Sequence, residues 1–219
     1  MPLKAVFFDV GETLVDETRI WAGWADWLGV PRLTLFGVLG GVIQRREHHL
    51  RALEIVAPSF DLAREEAARV AAGVPNHICA DDLYPDVLPC LEALKAAGYL
   101  VGIAGNQPAQ AEEVLRGLGL PVDVMASSAT WGVEKPSPEF FARVAQETML
   151  PPGEIAYVGD RLDNDVLPAR AAGMVAVFLK RGPWGYLHAL RSEATEAHIR
   201  IDSLAALPEA LERYQSSLP

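Results

Sequence analysis

Apolar residues follow two rhythms along this chain. Short continuous runs at Ala5–Phe8, Leu100–Ala104, Val122–Met125, Ile155–Val158 and Met174–Leu179 are each bounded by Gly, Pro, Asp or Asn on at least one side. Such runs predict buried parallel strands. Between most of them the apolar positions recur at helical spacing, as over Val87–Ala97, Pro108–Leu118 and Pro138–Thr148. Strands alternating with helices predict an α/β fold, a three-layer Rossmann-like core around a mainly parallel sheet. Right-handed crossovers then bring the strands' C-terminal ends to one edge, where ligands bind in such sheets.

Residues 16–82 break the alternation. They hold no strand-like run, and their helical pattern is punctuated by Pro31, Pro58, Gly73 and Pro75. The expected organisation is therefore a core of residues 1–15 and 83–219 and an inserted α-helical cap domain, 16–82. Insertion just after the first strand puts the helices at the ligand edge, as a lid would be. Ile20, Trp21, Trp24, Trp27 and Leu28 form a helical stripe there, read either as packing within the insert or as a substrate cage. Arg45, Arg46, His48, His49 and Arg51 fall in one short stretch, read as helical. That stretch is either a patch recruiting an anionic substrate or a solvated helix face.

Composition narrows the partners. With 219 residues, half of them hydrophobic, the chain has enough apolar material for one good-sized core, or a core plus a smaller insert. The formal net charge of -10 argues against nucleic acid or an anionic membrane as a partner. It also means that a phosphorylated substrate needs a local cation, which a divalent metal supplies. Cys79 and Cys90, without metal-ligand spacing, suggest reduced thiols and a cytoplasmic protein. The opening MPLKAVFFDV does not read as a signal peptide, and no apolar run approaches the roughly 20 residues of a membrane helix.

Four stretches carry candidate chemistry. Asp9 leaves the first strand towards the ligand edge, as a nucleophile, a metal ligand or merely a turn cap. In GDRLDND, Asp160 leaves another strand end, with Asp163 and Asp165 close behind. Carboxylates gathered this way persist in a compact site mainly when a cation compensates them, and oxygen donors select Mg²⁺ over Zn²⁺. An N-cap with solvated acids accounts for Asp163 well, and for Asp160 and Asp165 less well. Lys135 precedes Pro136, Ser137 and Pro138, a helix-start pattern that holds it in the connection facing the sheet edge. Gly105 and Asn106 follow a core strand and read as a helix N-terminus able to bind an anion, or as a simple cap.

In chain order, FFDVGETLV, the IAGN loop, Lys135–Pro136 and GDRLDND together resemble the four motifs of the haloacid dehalogenase-like superfamily, over nearly the whole chain. The insert resembles that superfamily's helical cap. The resemblance implies that Asp9 attacks the electrophilic centre and forms an aspartyl intermediate that water hydrolyses. It implies Mg²⁺ held by Asp9, Asp160 and the Gly11 carbonyl, with Asp165 in support and Asn164 orienting the loop. Lys135 would neutralise the nucleophile and transferring group, and Thr13 would position the nucleophile loop. Gly105 and Asn106 would bind the phosphate through backbone N–H groups, with Arg45 and Arg46 as candidate substrate contacts.

Two residues depart from that pattern. Gly11 stands where most phosphatases of this group carry an Asp that protonates the leaving oxygen, and losing such a group costs roughly 10²–10⁴-fold in rate. Gly105 stands where Ser or Thr usually binds phosphate. The expected protein is thus a Mg²⁺-dependent phosphatase acting on a small phosphorylated metabolite, as monomer or homodimer. Two alternatives stay open: a metal-independent 2-haloacid dehalogenase, whose halide leaving group needs no proton, and a weakly active or non-catalytic binding protein.

Overall fold

A computed structural model of the chain describes residues 2–217. Six strands form one sheet: β1 (Ala5–Phe8), β2 (Leu100–Gly105), β3 (Val124–Ser127), β4 (Ile155–Gly159), β5 (Val175–Leu179) and β6 (Ile199–Ile201). Their order is β3-β2-β1-β4-β5-β6, and every neighbouring pair is parallel. The fold is α/β and Rossmann-like, as the alternation predicts. The chain winds one way from β1 through β2 to β3, then returns to β4 and winds the other way. Strand order reverses between β1 and β4, and a crevice opens at such a switch point beyond the strand C-termini. Asp9 and Asp160 are the residues that directly follow those two strands.

Helices cover both faces of the sheet, so β1, β4 and β5 are buried along their whole length and show no polar alternation. In the register, Phe7 is level with Gly102 on one side and Tyr157 on the other. The Phe7 ring occupies the space above Gly102: a Cβ added there would meet ring atoms at 2.4 to 2.7 Å. Phe7, Tyr157, Phe140, Phe141, Val144 and Phe178 belong to one buried cluster, which floors the crevice. The helix Pro138–Thr148 supplies three of them, and it starts where Ser137 accepts a hydrogen bond from the Glu139 N–H with Pro138 in the first turn.

Among the strands the pattern fails in two places. β3 begins two residues later than its apolar run suggests. Asp123 is engaged beforehand: its carboxylate accepts from the Val101 N–H and its own N–H donates to the Val101 carbonyl, both at 2.8 Å. β6 is not predicted at all. It has only three residues, and Arg200 is exposed between buried Ile199 and Ile201, too short a run to register.

Glu17–Asp82 makes a compact unit of its own. It contains the helices Thr18–Trp27, Arg32–Gln44, Arg51–Val56 and Leu62–Ala71. The tryptophan stripe packs within it. Trp24 meets Phe60 edge-on at 5.5 Å, and buried Arg69 lies 4.8 Å over Trp24 while donating to the Gly23 carbonyl at 2.6 Å. The run from Arg45 to Arg51 is not one helical stretch. The helix before it stops at Gln44, Arg46 takes a left-handed φ of 60°, and the next helix starts at Arg51. Arg45 is exposed and pairs with Glu47 at 2.7 Å. Among the described residues no single helix is long and apolar enough to cross a membrane.

Because Phe7 fills the only space a side chain at position 102 would have, Gly102→Ala should cost about 1–3 kcal/mol of stability. Urea unfolding reads this directly; an unchanged midpoint would mean the ring lies elsewhere.

Candidate active site

The crevice collects charge from three segments that are far apart in sequence. Asp9 is tied to β4 by its N–H, which donates to the Val158 carbonyl at 2.9 Å. Lys135 reaches in from the loop before the helix Pro138–Thr148, with its side chain completely buried. Its Nζ is 2.6 Å from Asp9 Oδ1 and 2.6 Å from Asp165 Oδ1, so one ammonium bridges two carboxylates. Beneath it lie the rings of Tyr157 and Phe140, with centroids at 5.5 and 5.9 Å. Burial alone would push the ammonium towards its neutral form, but Asp165 and Asp9 outweigh it and hold the pKa well above the ordinary lysine value. Lys135 is therefore a fixed positive charge.

Asp165 engages protein partners with both oxygens, Oδ1 with Lys135 and Oδ2 with the Arg161 N–H at 3.0 Å. It fits only because Gly159 has no side chain; a Cβ there would lie 2.3 Å from Asp165 Oδ2. Burial lifts its carboxyl to about 6, with Lys135 pulling the other way. Asp160 is different. It is 1% exposed, and neither of its carboxylate oxygens has a hydrogen-bond partner. Burial first, then the charges of Asp165, Asp9 and Glu12, hold its carboxyl well above the usual carboxylate range.

One oxygen from each of Asp9, Asp160 and Asp165 lies within 4.8 Å of the others. Three carboxylates against one ammonium leave an excess of negative charge in a buried crevice, with two orphaned oxygens among them. Protons or a cation must compensate that excess. Oxygen-only donors around two unsatisfied atoms suit a hard divalent cation such as Mg²⁺.

The remaining candidate residues surround this cluster or lie apart from it. Gly11 and Thr13 sit in the tight loop after Asp9, closed by the Leu14 and Val15 N–H groups on the Val10 carbonyl at 2.8 and 3.0 Å. The Thr13 hydroxyl is buried without a partner. Glu12, the carboxylic residue next to Gly11, is held in place on this loop. It takes a left-handed φ of 53° and accepts a hydrogen bond from Tyr84 Oη at 2.7 Å. Gly105 ends β2, and a Cβ there would lie 2.7 Å from Asp9 Oδ1. The helix expected to open at Gly105 and Asn106 instead begins at Ala109, after Pro108. Asn106 serves Lys135: its Oδ1 accepts from the Lys135 N–H and its Nδ2 donates to the Lys135 carbonyl, both at 2.8 Å. Asp163 pairs with Arg161 outside the cluster. Arg45 and Arg46 belong to the Glu17–Asp82 unit described above.

Sequence reasoning missed several residues here. His188, 1% exposed, accepts the Leu162 N–H on Nδ1 at 3.0 Å and so anchors the start of the Asp160–Asp165 turn. Arg181 donates to the Thr13 carbonyl at 3.0 Å. It lies two residues beyond the end of β5, after Lys180, so the strand-end position that marks Asp9 and Asp160 points only to its neighbourhood.

A family model described as haloacid dehalogenase-like hydrolase matches residues 3–173. The chain is 39% identical over 202 residues to a glyceraldehyde 3-phosphate phosphatase of Methanopyrus kandleri, covering 83% of this chain and 86% of that one. It is 31% identical over 133 residues to a phosphoglycolate phosphatase of Vibrio parahaemolyticus, covering 59% and 56%. Among solved structures, a predicted phosphoglycolate phosphatase from Haemophilus somnus superposes with a TM-score of 0.66 at 20% identity, over 95% of this chain and 98% of that one. A 2-haloacid dehalogenase from Pseudomonas syringae superposes with a TM-score of 0.63 at 23% identity, over 97% and 99%. These two structural likenesses speak to the fold alone.

Removing the bridging ammonium abandons Asp9 and Asp165 in a buried site. Lys135→Met should therefore destabilise the protein by about 3–5 kcal/mol at neutral pH, measured by chemical denaturation in the presence of a chelator. A variant as stable as the parent would show that Lys135 does not balance these charges.

Proposed function

This chain belongs to the haloacid dehalogenase-like hydrolase family, and from that premise we propose that it is a Mg²⁺-dependent phosphatase of small phosphorylated metabolites with Asp9 as nucleophile. The observation that carries the reading is the orphaned Asp160 carboxylate beside the Lys135-bridged pair. A charge cluster this costly has no evident structural use. The relatives' names, glyceraldehyde 3-phosphate phosphatase and phosphoglycolate phosphatase, support a small phosphate monoester as substrate.

Asp9 attacks phosphorus as the bond to the leaving oxygen breaks, the leaving group departs as the alkoxide or phenolate and takes its proton from solvent water, and water then hydrolyses the aspartyl-phosphate to inorganic phosphate and the Asp9 carboxylate. Lys135 fixes the Asp9 carboxylate through Oδ1 and places positive charge beside the transferring group. The Asp165 and Asp9 carboxylates favour its charged form, which suits an electrostatic role beside the transferring group. Asn106 holds the Lys135 backbone from both sides. Asp9 and Asp160, with the Gly11 carbonyl, are the residues that would hold Mg²⁺, with Asp165 in support; the ion when bound supplies charge to the phosphoryl oxygens. The backbone N–H groups at Gly105 and Asn106 are assigned to the phosphate, and Thr13 to positioning the loop. The helical unit Glu17–Asp82, with Arg45 and Arg46, is assigned to substrate selection as a cap.

Gly11 leaves no carboxylic acid two residues after the nucleophile, and Glu12 is engaged by Tyr84. Leaving groups that need a proton should suffer. Aryl phosphates, whose phenolates leave unaided, should turn over roughly 10²–10⁴-fold faster than alkyl phosphates. A flat dependence on leaving group would show that another residue or a water supplies the proton.

The decisive assay is phosphate release from p-nitrophenyl phosphate and a panel of sugar, nucleotide and organic-acid phosphates. Release should require Mg²⁺, stop with a chelator, and vanish in Asp9→Asn. No release from any compound would overturn the proposal. The missing acid at Gly11 also fits dehalogenation, which predicts halide release from 2-haloacids that neither chelator nor Asp160→Asn affects.

A further inference from the structure

We propose that Arg181 is a positioning residue that, together with Tyr84, clamps the loop carrying Asp9; the proposal rests on the reading of Asp9 as nucleophile. The observation is a closed set of contacts on the far side of that loop. Arg181 Nη1 donates to the Thr13 carbonyl at 3.0 Å, and Nη2 donates to Asp86 Oδ2. Asp86 Oδ2 is held in turn by Ser203 Oγ at 2.8 Å and the Leu204 N–H at 2.9 Å. The guanidinium carbon lies 4.1 Å from the centre of the Tyr84 ring, and Tyr84 Oη donates to Glu12 Oε2 at 2.7 Å. Two adjacent loop residues, Glu12 and Thr13, are thus gripped by two stacked side chains.

The grip falls where the loop needs it. Glu12 adopts a left-handed φ of 53°, a conformation that a residue with a Cβ disfavours. Its carboxylate is wedged against Gly182, where a Cβ would lie 2.3 Å from Oε2. The turn at Glu12, closed within the loop by its own N–H on the Val15 carbonyl at 2.8 Å, is further held from outside by Tyr84 and Gly182. Arg181 adds the second hold on the next carbonyl. Thr13 belongs to a loop whose last N–H groups close on Val10, the residue after Asp9. A shift at Thr13 therefore reaches the nucleophile through a few rigid bonds.

Arginine is required here for its shape. It must donate in two directions while stacking flat on an aromatic ring, which lysine cannot reproduce. Misplacing a reacting group by an ångström costs about 10²-fold in rate, and a residue that acts by holding the loop shows that loss in kcat.

The test uses the full chain with Arg181→Lys, Arg181→Met and Tyr84→Phe, assayed on p-nitrophenyl phosphate with saturating Mg²⁺. Amide hydrogen exchange over residues 10–15 is followed in parallel. In both Arg181 variants kcat should fall about 10²-fold with KM changed less than about threefold, and loop exchange should accelerate. Tyr84→Phe, which removes one hydroxyl and leaves the stack, should accelerate exchange at Glu12 and its neighbours even if the Arg181 variants fail to fold. Wild-type kcat and wild-type loop exchange in variants that melt earlier would overturn the proposal and leave Arg181 as an ordinary structural ion pair. If the parent protein releases no phosphate, the phosphatase reading falls, while loop exchange still decides the clamp by itself.

Discussion

Everything at the strand edge depends on one buried ammonium held 2.6 Å from each of two carboxylates. Two unit charges about 4 Å apart interact by about 4 kcal/mol at an effective dielectric near 20. A crevice holding Asp9, Asp160 and Asp165 without Lys135 would carry a repulsion that few folds tolerate. Lys135 relieves the Asp9 and Asp165 part and leaves Asp160 unrelieved. That imbalance gives the site its character: a buried ammonium fixes Asp9 and Asp165, and an unsatisfied carboxylate beside them is left to be balanced by a proton or a second cation.

The fold serves this arrangement in layers. The reversal of strand order between β1 and β4 puts Asp9 and Asp160 side by side. Glycines make the room: Gly159 admits Asp165, Gly102 admits Phe7, and Gly105 leaves space for the Asp9 carboxylate. Beneath the charges, Phe140 and Tyr157 form an apolar floor that excludes water from Lys135. Around them, hydrogen bonds involving Asn106, Arg161, His188 and Arg181 fix the loops that carry the charged side chains.

Those parts of the structure that depend on long, uniform stretches of chain were readable in the sequence. β1 is a continuous apolar run ended by Asp9, β4 one ended by Gly159 and Asp160, and Ser137–Pro138 marks a helix start with few alternatives. Features set by tertiary contacts were not readable. Three residues of β6 carry too little pattern, and Arg46 takes its left-handed turn with neither Gly nor Pro to announce it. Asn106 looks like a helix cap in sequence, yet it serves Lys135, 29 residues away. Arg181 meets Thr13 across 168 residues, a pairing that no local spacing encodes.

The most direct test is anomalous diffraction from crystals soaked in Mn²⁺ as a stand-in for Mg²⁺. One strong peak between the carboxylates of Asp9 and Asp160, with Lys135 still bridging Asp9 and Asp165, is the predicted result. No peak there at millimolar Mn²⁺, or Asp160 satisfied by a protein donor with Lys135 turned outward, would contradict the account.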